Sequence, residues 1–221
     1  MVKPDLLFNI KGVIFDMDGV IVNNMPYHLQ AWKKFCQKHN YHFDKETFIA
    51  RYPGKENFDI IRDICGENIT REEADILGEE KEVIYREIYS KEIKPANGLI
   101  DVLTNFKELG IKLAVATSAP PSNLHFTLSK TNLTHFFDAT VDASMINHGK
   151  PSPEIFLKAA HLINVPPSNC LVFEDAFAGI EAATKANMKV VALATTNSKD
   201  KFGNKLRVIN DFTEFNSLPS I

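Results

Sequence analysis

The sequence has few of the features that mark disulfide-bonded or nucleic-acid-binding proteins. Its 221 residues include only three cysteines, which are far apart, so neither a disulfide framework nor a zinc site is indicated. Lysine and arginine (25) nearly balance aspartate and glutamate (28), whereas binding to nucleic acid requires a basic face. We therefore expect free thiols in a reducing compartment and no nucleic-acid partner.

Long apolar runs are also missing. The longest runs, such as residues 190–194, have the length of a β-strand and are too short to cross a bilayer. Residues 1–10 lack the apolar stretch and the small-residue cleavage site of a secretory signal. The ten glycines and eleven prolines are scattered, which excludes collagen-like and low-complexity chains. These absences predict a globular cytoplasmic protein, expected to be a monomer, with no membrane partner.

Short apolar runs alternate with helical patterns over most of the chain. The helix near residue 154 is predicted to begin with Ser152 as its cap and Pro153 in its first position, and a later helix to end at Asn187. This alternation is typical of a doubly wound α/β fold, in which helices cover both faces of a parallel sheet. Strands are predicted at residues 12–15, 111–116, 171–173, 189–194 and 206–209.

One segment breaks this alternation. Residues 24–92 have no convincing apolar strand, but they carry three groups of apolar residues at helical spacing. These groups are Leu29, Trp32, Phe35 and Cys36, then Ile60, Ile61 and Ile64, then Val83, Ile84 and Ile88. An insert of this length is large enough for a domain. We therefore predict an α/β core of residues 1–23 and 93–221 and a helical cap of residues 24–92.

Acidic residues follow two of the predicted strands. Asp16 and Asp18 come directly after the first strand, and Glu174 and Asp175 come directly after the third. Ligands of open α/β sheets bind beyond the carboxyl ends of the strands, so we expect these carboxylates at one edge. Together they would repel one another unless a cation bound there, and oxygen ligands suit Mg²⁺. The Asp-x-Asp pair alone would also fit a turn or a helix cap.

Hydroxyl and ammonium groups at two further positions predict a phosphate site. Thr117 and Ser118 end the second strand, where their hydroxyls and backbone N–H groups can hold phosphoryl oxygens. Lys150 precedes a helix in a loop stiffened by prolines, and its ammonium could neutralise a carboxylate nucleophile together with a phosphoryl group. Taken singly, Lys150 would fit a solvated loop lysine and Thr117 a strand-end hydroxyl.

Together these motifs resemble the four motifs of the haloacid dehalogenase superfamily, in the same order and over almost the whole chain. They are Asp16-Met17-Asp18-Gly19-Val20, the strand end at Thr117, Gly149-Lys150-Pro151 and Glu174-Asp175. Within the superfamily the sequence is similar to the β-phosphoglucomutase group. This similarity is carried by Tyr27-His28, Ala31-Trp32, Gly54-Lys55-Glu56 and Phe173-Glu174-Asp175-x-x-Ala178-Gly179-Ile180.

The resemblance implies roles for the matching residues. Asp16 would be the nucleophile that becomes an aspartyl-phosphate, and Asp18 would be the general acid and base. Thr117 and Lys150 would hold the phosphoryl group. Mg²⁺ would be bound by Asp16, the main-chain carbonyl of Asp18, Glu174 and Asp175.

The resemblance also implies substrate contacts around these motifs. His28 would couple the cap to Asp18, and Lys81 would lie in the cap near the substrate. Lys55, Ser118 and Asn123 are further candidates for substrate binding. From the residues alone, His28 would also fit a packed histidine. Lys81 stands in the charged run Glu79-Glu80-Lys81-Glu82, which would also fit a solvated helix face.

The chain departs from the mutase pattern where a second phosphate would bind. That pattern has a Ser-Lys pair after the second strand and an Arg in the cap turn, whereas residues 117–123 contain no lysine here and the turn carries Lys55. Thr-Asp-Thr of the pattern is replaced by Val22-Asn23-Asn24. A phosphatase needs no second clamp, so we predict Mg²⁺-dependent hydrolysis of a small phosphorylated metabolite. The alternatives are a β-phosphoglucomutase, a pyrophosphatase and a catalytically silent binding protein.

Overall fold

A parallel β-sheet forms the centre of the structure, a computed structural model that describes residues 6–204 and 206–216. The strands follow the order β3-β2-β1-β4-β5-β6, and all neighbouring pairs are parallel. The doubly wound α/β fold predicted from the sequence is confirmed. The strands are β1 (Gly12–Phe15), β2 (Lys112–Ala116), β3 (Ala139–Val141), β4 (Cys170–Glu174), β5 (Lys189–Leu193) and β6 (Arg207–Ile209).

The first four of the five helices between β1 and β2 form a group. They share an apolar cluster that buries Trp32, Phe35 and Ile61. The apolar spacing predicts three of these helices, whereas the short helix from Lys45 to Arg51 was not expected. The division into core and cap at residues 23/24 and 92/93 stays a prediction. The helices are α1 (Met25–Lys38), α2 (Lys45–Arg51), α3 (Asn57–Cys65) and α4 (Arg71–Tyr89).

The buried face of α4 differs from the predicted one. Val83 is expected to face inward, but it is 42% exposed, whereas Lys81 and Glu82 are buried. Apolar spacing fails here because two opposite charges can be buried together when they neutralise each other. The ammonium of Lys81 lies 2.5 Å from a carboxylate oxygen of Glu82.

Further helices cover both faces of the sheet. They are α5 (Leu99–Glu108), α6 (Pro121–Lys130), α7 (Glu154–Leu162), α8 (Phe177–Lys185) and α9 (Phe212–Asn216). Helices α5, α6 and α9 share an apolar cluster with Val13 and Phe15, and helices α7 and α8 share another with Ile14. Alternate residues of β1 therefore point to opposite faces, and both faces are buried.

Local differences from the prediction are small. The three-residue strand β3 was not predicted. Helix α7 begins at Glu154, one residue later than expected, because Pro153 takes the cap position. The Ser152 hydroxyl accepts a hydrogen bond from the Glu154 N–H at 3.3 Å. Asn187 has a φ of 60°, in the left-handed conformation expected at the end of α8.

The described part of the chain also shows the state of the cysteines and the character of the helices. Cys36, Cys65 and Cys170 carry free thiols, as expected. Within residues 6–204 and 206–216, no helix combines the length and the apolar character needed to cross a membrane.

Candidate active site

The carboxyl ends of three strands meet beside a pocket. Phe15, the last residue of β1, pairs with Val115 of β2 and with Phe173 of β4. The pocket lies between this sheet edge and residues of α1–α4, and encloses about 760 Å³ of space, with open solvent at its mouth included. The residues of its wall that the sequence singles out are Asp16, Asp18, His28, Lys55, Lys81, Thr117, Ser118 and Asp175.

The Asp16 carboxylate is buried between a cation and a second carboxylate. Lys150 Nζ donates to Asp16 Oδ1 at 2.5 Å and to Glu174 Oε2 at 2.7 Å. The other oxygen of Glu174 accepts from the backbone N–H groups of Asp175 and Ala176 at 3.1 and 2.9 Å. Although burial opposes the change, the carboxylates of Asp16 and Glu174 raise the pKa of Lys150. The ammonium therefore stays charged beside Asp16.

Three buried carboxylates form a cluster that could hold a metal ion. Asp16, Glu174 and Asp175 each offer an oxygen, and these oxygens lie within 4.8 Å of one another. Burial and the charge of Glu174 raise the pKa values of Asp16 and Asp175 well above their usual range. A hard cation would relieve this repulsion, and an all-oxygen donor set suits Mg²⁺. The cluster found among the described side chains does not include the carboxylate of Asp18.

Two glycines leave room for these carboxylates. Gly19 has a φ of 81°, and a β-carbon there would overlap Oδ2 of Asp175. A β-carbon at Gly179, in α8, would overlap the carboxylate of Glu174. The hydroxyl of Thr196 donates to Asp175 Oδ2, and that of Thr195 donates to the Gly19 carbonyl at 2.7 Å. The side chain of Asp175 is therefore fixed against the loop that carries Asp18.

The Asp18 carboxylate is held by different partners. Asn24 Nδ2 donates to Asp18 Oδ1 at 2.6 Å, while Asn24 Oδ1 accepts from the Gly19 N–H at 3.2 Å. His28 Nε2 lies 3.7 Å from Asp18 Oδ2. Although partial burial opposes the change, His28 and Asn24 lower the pKa of Asp18. The two aspartates of the first motif thus share a pocket but have opposite electrostatic surroundings.

The motifs do not point to Asn24, yet it is completely buried at the centre of this network. Asparagine at the N-cap position of a helix normally suggests capping, but the side chain of Asn24 makes no capping bond to α1. Its amide instead donates to Asp18 and, at 2.7 Å, to the hydroxyl of Tyr85. The ring of Tyr85 stacks on His28 with ring centres 3.9 Å apart. The sequence alone therefore gives no sign of this role, because an asparagine before a helix looks like an ordinary cap and the missing cap bond is visible only in the structure.

Lys81 and Glu82 extend the network along α4. Lys81 Nζ lies 3.3 Å from His28 Nδ1 and 4.6 Å from the centre of the Trp32 ring. Glu82 Oε1 accepts from Lys81 at 2.5 Å and from Asn57 Nδ2 at 2.8 Å. Both charged side chains are almost completely buried, so the solvated-face interpretation of Lys81 is wrong. Glu82 also lines the pocket and was not predicted.

Thr117 and Ser118 lie at the pocket wall, whereas Asn123 does not. The Thr117 hydroxyl accepts from the Ala119 N–H at 3.1 Å. The buried Ser118 hydroxyl has no hydrogen-bond partner among the described residues, so it remains free for a ligand oxygen. The amide of Asn123 donates to Glu82 Oε2 at 2.7 Å and accepts from Arg86 at 2.8 Å. Asn123 therefore does not line the pocket as a predicted substrate contact should.

Comparison with known proteins gives one consistent family. A family model described as haloacid dehalogenase-like hydrolase matches residues 10–187. The chain is 33% identical over 180 residues to the fructose-1-phosphate phosphatase YqaB of Escherichia coli (strain K12), covering 81% of this chain and 94% of that protein. It is also 33% identical over 192 residues to the β-phosphoglucomutase of Bacillus subtilis (strain 168), with 83% of each chain covered.

A solved structure agrees with these sequence matches. The structure of a HAD hydrolase, family IA, variant 3, from Entamoeba histolytica HM-1:IMSS superposes with a TM-score of 0.85 at 29% identity, covering 93% of this chain and 95% of that one. The chain therefore belongs to the haloacid dehalogenase-like hydrolases. Within that family it falls in the β-phosphoglucomutase-like group, and it is an enzyme of the phosphatase or phosphomutase type.

Proposed function

We propose that this enzyme hydrolyses a small phosphorylated sugar, with Asp16 as the nucleophile and Asp18 as the general acid and base. The observation that carries the proposal is the different surroundings of these two carboxylates in one pocket. Asp16 lies in the acidic cluster beside Lys150, whereas Asp18 is held by Asn24 and His28. With Mg²⁺ bound, the pKa of Asp16 would fall so that it attacks as a carboxylate, and a phosphoryl group beside Asp18 would raise the pKa of Asp18 so that it can carry a proton.

Each step of the proposed reaction uses a group in the pocket. A carboxylate oxygen of Asp16 attacks phosphorus, and Asp18 gives a proton to the sugar oxygen as the phosphorus–oxygen bond breaks. Asp18 then takes a proton from water, which attacks the aspartyl-phosphate, releases inorganic phosphate and restores Asp16. Thr117 and Ser118 hold phosphoryl oxygens, and the ammonium of Lys150 offsets their negative charge.

We propose Mg²⁺ as the cofactor, held by the carboxylates of Asp16, Glu174 and Asp175 and the main-chain carbonyl of Asp18. The three carboxylates support this assignment, because each offers an oxygen and these oxygens lie within 4.8 Å of one another. The carbonyl of Asp18 is assigned from the family resemblance. When bound, Mg²⁺ would supply the positive charge that offsets repulsion between the carboxylates and the phosphoryl group. Lys150 alone brings one positive charge to three acidic side chains.

The helices α1–α4 supply the second wall of the pocket, and we propose that residues 24–92 act as a cap over the core of residues 1–23 and 93–221. Four hydrogen bonds between described residues of α4 and α6 support contact between the two parts, one of them from the Ser122 hydroxyl to Glu79 Oε2 at 3.1 Å. Arg86 donates to Ser122 Oγ at 3.0 Å and to Asn123 Oδ1 at 2.8 Å, and Asn123 donates to Glu82. A cap of this kind would exclude bulk water around the substrate.

Transfer of phosphate within a hexose phosphate is the second candidate, and the similarity to β-phosphoglucomutase supports it. That reaction must bind a phosphate at both ends of the sugar. Among the described residues of the pocket wall, the lysines are Lys55, which is exposed, and Lys81, which is paired with Glu82. The pocket therefore offers little positive charge for a second phosphate, and this favours hydrolysis over transfer within the sugar.

The test is a phosphate-release screen with sugar phosphates, including fructose 1-phosphate, and with pyrophosphate, all in the presence of Mg²⁺. We expect release from at least one sugar monophosphate and its loss in Asp16→Asn, with the fold retained by circular dichroism. Asp101→Asn, which changes an exposed aspartate of α5, is the matched control.

β-Glucose 1-phosphate is followed in parallel for conversion to glucose 6-phosphate. Conversion that is faster than phosphate release would favour the mutase. Activity on pyrophosphate alone would identify a pyrophosphatase, and inactivity on every compound would favour a silent binding protein. Full activity of Asp16→Asn would refute the covalent mechanism.

A further inference from the structure

A buried carboxylate lines a pocket that is expected to bind anionic substrates. Glu82 of α4 is 2% exposed, and three neighbouring side chains fix its position. Lys81 and Asn57 donate to Oε1, and Asn123 donates to Oε2. These donors come from α3, α4 and α6, so the carboxylate is anchored from both walls of the pocket. Although burial opposes the change, the charges of Lys81 and His28 lower the pKa of Glu82, which therefore stays ionised.

This carboxylate changes what Lys81 can do. An unpaired ammonium in the pocket wall would attract a phosphate group, but the charge of Lys81 is offset at 2.5 Å by Glu82. Lys55, the other lysine among the described wall residues, is exposed. A second phosphate, which would carry a charge of about −1.5 to −2 at neutral pH, would therefore meet an ion pair of almost no net charge, with no buried, unpaired lysine beside it.

The same carboxylate can accept hydrogen bonds from a sugar. An ionised carboxylate has about four acceptor positions, and three donors of the protein occupy positions on Glu82. Oε2 has one protein donor, Asn123, so it can also accept from a hydroxyl group. Hydroxyl groups therefore suit this part of the pocket better than a phosphate group does.

We infer that Glu82 is a specificity-determining residue, which selects substrates with one phosphate and a hydroxyl-rich remainder and rejects bisphosphates. The inference rests on the proposed phosphatase function and adds the substrate class to it. Glu82 takes no part in phosphoryl transfer itself. Its effect is therefore expected in the ratio of the kcat/KM values for a matched monophosphate and bisphosphate. The kcat/KM for either substrate taken alone does not test it.

The experiment compares fructose 1-phosphate with fructose 1,6-bisphosphate at constant free Mg²⁺. We expect the wild type to prefer the monophosphate by at least about tenfold in kcat/KM, equivalent to about 1.4 kcal/mol. Glu82→Gln keeps the shape of the side chain, removes its charge and leaves Lys81 unpaired. It should reduce this preference by about tenfold.

Glu80→Gln is the matched control on the same helix. Glu80 pairs with Lys38 and His39, each at 2.9 Å, and does not line the pocket. This variant should keep the wild-type preference. An equal effect of Glu80→Gln would show that only the net charge matters and would overturn the inference, as would an unchanged preference in Glu82→Gln.

A measurement on the wild type keeps the inference testable if Glu82→Gln fails to fold. The two ligands are compared by the rise in melting temperature that each causes at equal concentration and equal free Mg²⁺. A larger rise with the monophosphate supports the inference, and an equal or larger rise with the bisphosphate overturns it. Loss of phosphate release from all monophosphates would instead refute the proposed function, while this binding comparison would still decide the role of Glu82.

Discussion

Asn24 offers the sharpest test of how the pocket prepares Asp18 for proton transfer. Its amide donates to Asp18 Oδ1 at 2.6 Å and to the Tyr85 hydroxyl at 2.7 Å. Hydrogen bonds to charged groups contribute about 1.5–3 kcal/mol. Since about 1.4 kcal/mol corresponds to a factor of ten, Asn24→Ala should lower kcat/KM for a sugar phosphate by about tenfold to a hundredfold.

The free energy of unfolding of Asn24→Ala should also fall, by an amount of similar size that arises from other contacts. The Gly19 N–H loses the side-chain acceptor but keeps the Val22 carbonyl at 2.8 Å. The buried Tyr85 hydroxyl loses a donor, and an unsatisfied buried group costs about 1–3 kcal/mol. Urea unfolding should detect this loss, while the folded fraction in the activity assay stays near that of the wild type.

The assay compares a sugar phosphate with an activated aryl phosphate. A sugar oxygen needs a proton in order to leave, whereas a phenolate does not, so the loss should be much smaller on the aryl phosphate. Asn23→Ala is the control, because Asn23 is the neighbouring residue of the same type and is exposed. Equal losses on both substrates, or no loss on either, would refute the view that Asn24 positions Asp18.

Two further predictions concern the metal site and the thiols. Asp175→Ala should raise the Mg²⁺ concentration needed for half-maximal activity by about tenfold or more. The control Asp200→Ala changes an exposed aspartate and should leave this concentration unchanged. The same Mg²⁺ dependence in both variants would exclude Asp175 as a ligand. Burial raises the pKa of Cys36 to about 11, so its reactive thiolate is scarce at pH 8 and becomes abundant only as the pH rises towards that value. Peptide mapping after iodoacetamide treatment at pH 8 should find the half-buried Cys65 modified before the fully buried Cys36, and the reverse order would contradict the packing of α1.

The fold and the chemistry at the sheet edge could be predicted because both depend on local patterns. A buried parallel strand is apolar throughout, so β1 and β4 stand out in the sequence. Parallel strands place their carboxyl ends together, so Asp16 and Asp175 could be assigned to one site from their positions alone. The loop around Lys150 suggests an ammonium beside a carboxylate nucleophile, but the residues alone would also fit a solvated lysine, and its pairing with Asp16 across 134 residues is seen only in the structure.

The family resemblance points to His28, Lys55 and Lys81 in the other wall of the pocket, but the polar contacts of that wall could not be predicted, because they join distant parts of the chain. Asn24 bonds to Tyr85, 61 residues away, and Glu82 bonds to Asn123, 41 residues away. Periodicity assigns charged residues to the solvent, so it fails wherever burial depends on a partner elsewhere. Lys81 and Glu82 are the clearest case, because each is buried only in the company of the other.

The position of Trp32 makes its intrinsic fluorescence a probe of this pocket. The sequence contains one tryptophan, so all tryptophan emission of the protein comes from this ring. The ring lines the pocket and lies under the Lys81 ammonium. Its fluorescence depends on the nearby charge and on the water that a ligand displaces. Ligand binding can therefore be followed in the unlabelled enzyme, separately from turnover and in inactive variants of Asp16.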